Sequence, residues 1–97
     1  MRWIVIFEDS PLMQEVRRHH EADHFAYLRA NTAEILVAGG LREGPETSFS
    51  GGLWILDVTS RARACELAEQ DPYFVHSRRE YRVLQWGKAL ADVEAKL

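Results

Sequence analysis

Glu34-Ile35-Leu36-Val37-Ala38-Gly39-Gly40-Leu41 and Gly51-Gly52-Leu53-Trp54-Ile55-Leu56-Asp57-Val58 are separated only by Arg42 to Ser50, and this spacing decides the fold. Both runs are short, apolar and rich in branched residues, which marks them as strands. The segment between them is polar, carries Gly44-Pro45 and has no helical period. A connection without a helix joins antiparallel neighbours, so the two strands form a hairpin. The Gly39-Gly40 pair marks a point where the backbone must bulge or approach something closely.

Upstream, Trp3-Ile4-Val5-Ile6-Phe7 is a strand ended by Glu8-Asp9-Ser10-Pro11. Val16, His20, His24, Tyr27 and Leu28 then recur at helical spacing, predicting a helix over about 13–30 that Asn31-Thr32 ends. Downstream, Thr59 or Ser60 caps a second helix that buries Ala64, Leu67 and Ala68. Pro72 biases Asp71 away from helical geometry and stops it, and Tyr73-Phe74 begins a further short turn. Tyr81 to Trp86 is the last strand, and Lys88 to Leu97 reads as a helix or arm with Leu90, Val93 and Leu97 apolar. The order is β-α-β-β-α-β. Two right-handed crossovers around one hairpin predict an α+β, ferredoxin-like subunit: a four-stranded antiparallel sheet with the helices on one face. The strands are apolar on both faces, so the uncovered face calls for a second copy packed sheet to sheet, a homodimer.

With 97 residues, the chain reads as one domain over 1–97, residues 88–97 being a C-terminal extension. The net charge of −3 argues against nucleic acid as a partner. Ten of the 12 cationic residues are arginine, grouped at 17–18, 61–63 and 78–82, which as solvated faces would pair with the 15 acids. The lone Cys65 excludes an intrachain disulfide and sits in a helical pattern as an inert thiol. The first apolar run stops at Glu8-Asp9, too short for a signal peptide, and none is long enough for a membrane span. A cytoplasmic protein with no membrane partner is expected.

Three of the four histidines lie within residues 19–24. His20 and His24 are one helical turn apart, and Arg17 joins their face. Histidine titrates nearest neutrality, so this cluster is a candidate for proton transfer, with Arg17 suited to hold a carboxylate or phenolate. The ordinary alternative is a helix face with a satisfied core histidine and an arginine–glutamate pair. His20-Glu21-Ala22-Asp23-His24 also has the form of a zinc-protease signature. Its extended form needs glycine at Tyr27 and histidine at Ala30, and the fold order is wrong for it, so no metal and no cofactor are expected. The glycine pairs are not followed by helices and imply no nucleotide site.

Arg17-x-x-His20-x-x-x-His24-x-x-x-Leu28, Ile35-Leu36-x-Ala38-Gly39, Gly51-Gly52-Leu53-Trp54, Asp71-Pro72-Tyr73 and Val83-x-x-Trp86 follow one another over about residues 1–88. In this order they resemble the YCII-related (YciI-like) family. The resemblance implies a dimeric α/β barrel built from ferredoxin-like subunits and a His–Asp pair as the active site. Those roles map onto His24, with His20 as the other candidate, and onto Asp71. It also implies chemistry on small molecules, as one branch eliminates chloride from a chlorinated hydroxyquinol and related isomerases move a proton within a lactone. The chain departs from the family pattern at Gly39-Gly40, where relatives often carry Gly-Pro, and at His76, where many carry glycine.

Two functions stay open at this level. One is a cofactor-independent enzyme (a lyase, isomerase or hydrolase) acting on a small polar cyclic or aromatic substrate. Its catalytic residues would be His24, Asp71 and His20, and its substrate-binding residues Arg17, Ser48 and Tyr73. The other is a non-catalytic dimeric module that binds a ligand or partner protein in the same pocket, the His–Asp pair then being a structural tie between helices. A cofactor-free monooxygenase is a third option by fold analogy alone.

Overall fold

The computed structural model describes residues 2–96. In chain order these form β1 (Arg2–Glu8), α1 (Met13–Ala30), β2 (Ile35–Leu41), β3 (Gly51–Asp57), α2 (Arg61–Gln70), α3 (Pro72–Ser77) and β4 (Glu80–Gln85). The strands make one antiparallel sheet in the order β2-β3-β1-β4, the α+β arrangement expected from the hairpin reading.

Strand alternation sorts the side chains between two faces. Trp3, Val5 and Phe7 of β1, Trp54 and Leu56 of β3 and Val83 of β4 point to one side. There they form the core with Ala64, Leu67 and Ala68 of α2, while Tyr27 and Leu28 of α1 pack against it. Val37, Ile55, Ile4 and Leu84 lie in register across all four strands on the other side. No helix among the described residues packs against this row, and Val37 and Leu84 are exposed. Both observations restate in three dimensions the two-sided apolar pattern of the strands.

Two local features differ from expectation. The irregularity in β2 lies between Ile35 and Val37, where the register with β3 shifts, and not at the glycines. Of the Gly39-Gly40 pair only Gly40 makes the close approach, a Cβ there sitting 2.5 Å from the ring of Phe49; outside the pair, a Cβ on Gly51 would sit 2.2 Å from the Phe7 carbonyl oxygen. After β4 the chain makes an irregular arm through residue 96 and no helix. Leu90 and Val93 stay exposed. A segment this short forms helical turns only where packing holds an apolar face, and Leu90 and Val93 find no such cover. Leu97 lies outside the described residues.

Asp71 and Pro72 place the site. Proline forces its predecessor into extended geometry, and Asp71 has φ −64° and ψ 132°. That ends α2, as expected, and Pro72 then opens α3 at the position where its missing N–H costs nothing. Asp71 Oδ1 caps the new helix by accepting from the Tyr73 backbone N–H at 3.2 Å. The turn is rigid, and it holds a carboxylate beside the face of α1 that carries the histidines.

Candidate active site

α1 and α3 meet through two stacked ring pairs. The His24 imidazole lies on the Tyr73 ring with centroids 3.7 Å apart and planes 8° apart. One turn earlier on α1, His20 lies on His76 with centroids 3.6 Å apart and planes 4° apart. The i, i+4 spacing on α1 thus matches the i, i+3 spacing on α3, with the helices running in opposite directions. His20 and His24 do share a face, as the sequence requires, yet their surroundings differ. His24 is buried and lines a cavity of about 260 Å³, whereas His20 is half-buried against the exposed His76 and is not part of that lining.

Asp71 stands directly behind His24. Its Oδ1 is 2.7 Å from His24 Nδ1, and Asp71 is fully buried. A carboxylate can only accept, so Nδ1 carries the proton and the lone pair of the neutral ring is on Nε2. No hydrogen bond to Nε2 is formed among the described residues. Asp71 Oδ1 thus accepts from both Tyr73 N–H and His24 Nδ1–H, while Oδ2 is buried without a hydrogen bond. Burial pushes the Tyr73 phenol above its ordinary value, so at neutral pH the ring beneath His24 carries no charge.

A second cluster, of which the sequence pointed only to Arg17, forms the adjoining wall. Asp9 follows β1 and Arg79 precedes β4, so the antiparallel pairing of these strands brings them together. Arg79 Nε donates to Asp9 Oδ1 at 2.9 Å, and Arg17 Nη2 donates to Asp9 Oδ2 at 2.8 Å and to the Gly51 carbonyl at 3.2 Å. Both arginines line the cavity. Burial disfavours the Arg79 cation and Asp9 opposes that effect, so the carboxylate is what keeps the buried guanidinium tolerable. Two guanidinium groups share the Asp9 carboxylate, and Glu21 also lines the cavity, so its wall presents both cationic donors and a carboxylate. The signal that could have found this pair was the acid at the end of one strand and the base at the start of its neighbour. It becomes visible only once the sheet order is known.

Of the sequence candidates, His24, Asp71, Arg17 and Tyr73 come together at this cavity. Ser48 is exposed in the loop between β2 and β3 and is not part of the lining, whereas the next residue, Phe49, is. The other walls include Phe25, Ala38, Trp54 and the glycines 39, 40 and 52. Among the described residues, no three His, Cys, Asp or Glu side chains are gathered to hold a metal ion. His20 and His24 instead stack on different rings. No described helix is long and apolar enough to cross a membrane.

The profile of the YCII-related domain matches residues 1–87. No curated protein sequence matches the chain. Among solved structures, the chain is similar to a 5-chloro-2-hydroxyhydroquinone dehydrochlorinase from Burkholderia phenoliruptrix AC1100 in complex with 2,5-dihydroxybenzoquinone. The TM-score is 0.75 and the identity 28%, with 90% of this chain and 94% of that one covered. A mutant of SnoaB, a cofactor-independent oxygenase from Streptomyces nogalater, shares the fold at a TM-score of 0.51 and 14% identity, covering 94% of this chain and 96% of that one.

Proposed function

The chain belongs to the YCII-related domain family, and from that premise we propose that it is an enzyme of small, acidic, ring-shaped molecules, with His24 as its general base. The observation that carries this reading is the 2.7 Å contact of His24 Nδ1 with Asp71 Oδ1 on the far side of the imidazole from its free nitrogen, at a residue lining a cavity. Asp71 fixes the tautomer and stabilises the imidazolium formed when Nε2 takes a proton. Tyr73 holds the plane of the ring. As the proton leaves a ring hydroxyl or ring carbon, negative charge develops on the substrate oxygen, and Arg17 and Arg79 stabilise it. The electron pair left behind can expel a leaving group from the neighbouring carbon, an elimination, or reprotonate elsewhere, an isomerisation. The dehydrochlorinase neighbour, which binds a dihydroxyquinone, supports this substrate class. His20, outside the cavity lining and stacked on His76, takes the secondary role of an acid or base at the rim.

The test is exchange of ring hydrogens in deuterated water, with 2,5-dihydroxybenzoquinone and monocyclic hydroxyquinols as substrates. Exchange accelerated at least tenfold over buffer supports the base. Tight binding with no acceleration would leave the non-catalytic module as the function.

The homodimer belongs to the same proposal. The row Val37, Ile55, Ile4 and Leu84 supplies a self-complementary apolar face. Sedimentation should give twice the chain mass, and Ile55→Lys should shift it to the monomer. A monomeric wild-type protein at tens of micromolar would end this part.

A further inference from the structure

We infer that Phe49, seated in the notch left by Gly40, is the specificity-determining residue of the cavity and restricts it to substrates with a single six-membered ring. The inference rests on the reading above that the cavity takes flat acidic rings. The cavity measures about 260 Å³. That exceeds the roughly 150 Å³ in which a benzene ring is known to fit, so a flat ring can enter, and the walls decide how far it can extend. On the loop side the ring of Phe49 is part of the wall. Phe49 comes from the connection between β2 and β3, outside the rigid sheet, so its position needs an explanation.

Four residues hold Phe49 there. The Arg17 guanidinium carbon lies 4.8 Å from its centroid and that of Arg42 lies 5.0 Å away, so two cations face the ring. The side chain of Gln14 donates from Nε2 to the Phe49 carbonyl at 3.2 Å, tying the loop to α1. Gly40 has no side chain, and the ring occupies that space: a Cβ there would be 2.5 and 2.7 Å from Phe49 Cδ1 and Cε1. Gly39, next to it, meets nothing within 4 Å, so only one of the two glycines is shaped to the ring. Arg17 also lies 5.3 Å from the Tyr73 centroid. Phe49, Arg17, Tyr73 and His24 therefore make a continuous run of contacts, with the base at one end and Phe49 at the other.

The experiment measures dissociation constants of 2,5-dihydroxybenzoquinone and 2-hydroxy-1,4-naphthoquinone, which share the acidic hydroxyquinone group and differ in ring number. Wild type should favour the single ring at least tenfold. Phe49→Ala should tighten the two-ring ligand at least tenfold relative to the single-ring ligand. Gly40→Ala should reproduce the shift by unseating the ring, and adding it to Phe49→Ala should do nothing more. Unchanged selectivity in Phe49→Ala, with the single ring still bound, would overturn the inference alone. Failure of wild type to bind either ring would overturn the reading on which it rests.

Discussion

His24→Ala should lower turnover by about two to four orders of magnitude, the usual contribution of a positioned base, while the protein still folds. The variant removes the imidazole that, among the described residues, both lines the cavity and touches Asp71. It also strips Asp71 of one of its two partners, leaving the Tyr73 backbone N–H. A buried acceptor that loses a partner costs about 1–3 kcal/mol, so the comparison belongs well below the variant's melting temperature. Added imidazole should restore part of the rate, since the space vacated lies beside the cavity. Asp71→Asn is the companion measurement. The amide can still accept from Tyr73 N–H, but it can also donate to Nδ1 and so favour the wrong tautomer, and the rate should fall with little loss of stability. A folded His24→Ala protein with turnover within threefold of wild type would remove His24 from the chemistry.

Asp9→Ala should be among the most damaging single substitutions for stability, at about 3–5 kcal/mol, the range for removing one partner of a buried ion pair. The Asp9 and Arg79 side chains are each 2% exposed, and the Arg17 side chain is 16% exposed. Without Asp9, two guanidinium groups face one another beside the cavity with no anion between them. The double variant Asp9→Ala, Arg79→Met should recover a large part of the loss, because the uncompensated charge goes with the carboxylate. Urea unfolding gives both numbers. A cost below about 1 kcal/mol for Asp9→Ala would mean that the pair is hydrated in solution and does not set the charge of this wall.

The element order, the hairpin and the helical face carrying His20 and His24 were legible because each rests on local periodicity. Asp71-Pro72 was equally legible as a stop, since proline restricts its own neighbour whatever surrounds it. Asp9, Arg79 and Phe49 were not. Asp9 and Arg79 are 70 residues apart and meet only because β1 and β4 pair. Phe49 looked like part of a polar loop, and nothing local says that its ring lies on Gly40. His20 and His24 were indistinguishable in spacing, and α3 separates them by offering one an exposed histidine and the other a buried tyrosine backed by a carboxylate.

The amino-acid pattern alone determined which segments are strands and helices, that the sheet is apolar on both faces and that a base could sit on α1. Tertiary structure decided which histidine gains a carboxylate, which arginines share one, and which loop residue walls the cavity. Periodicity is a property of neighbours along the chain, whereas a polarised imidazole or a shared counter-ion is made by groups that only folding brings within about 3 Å of each other.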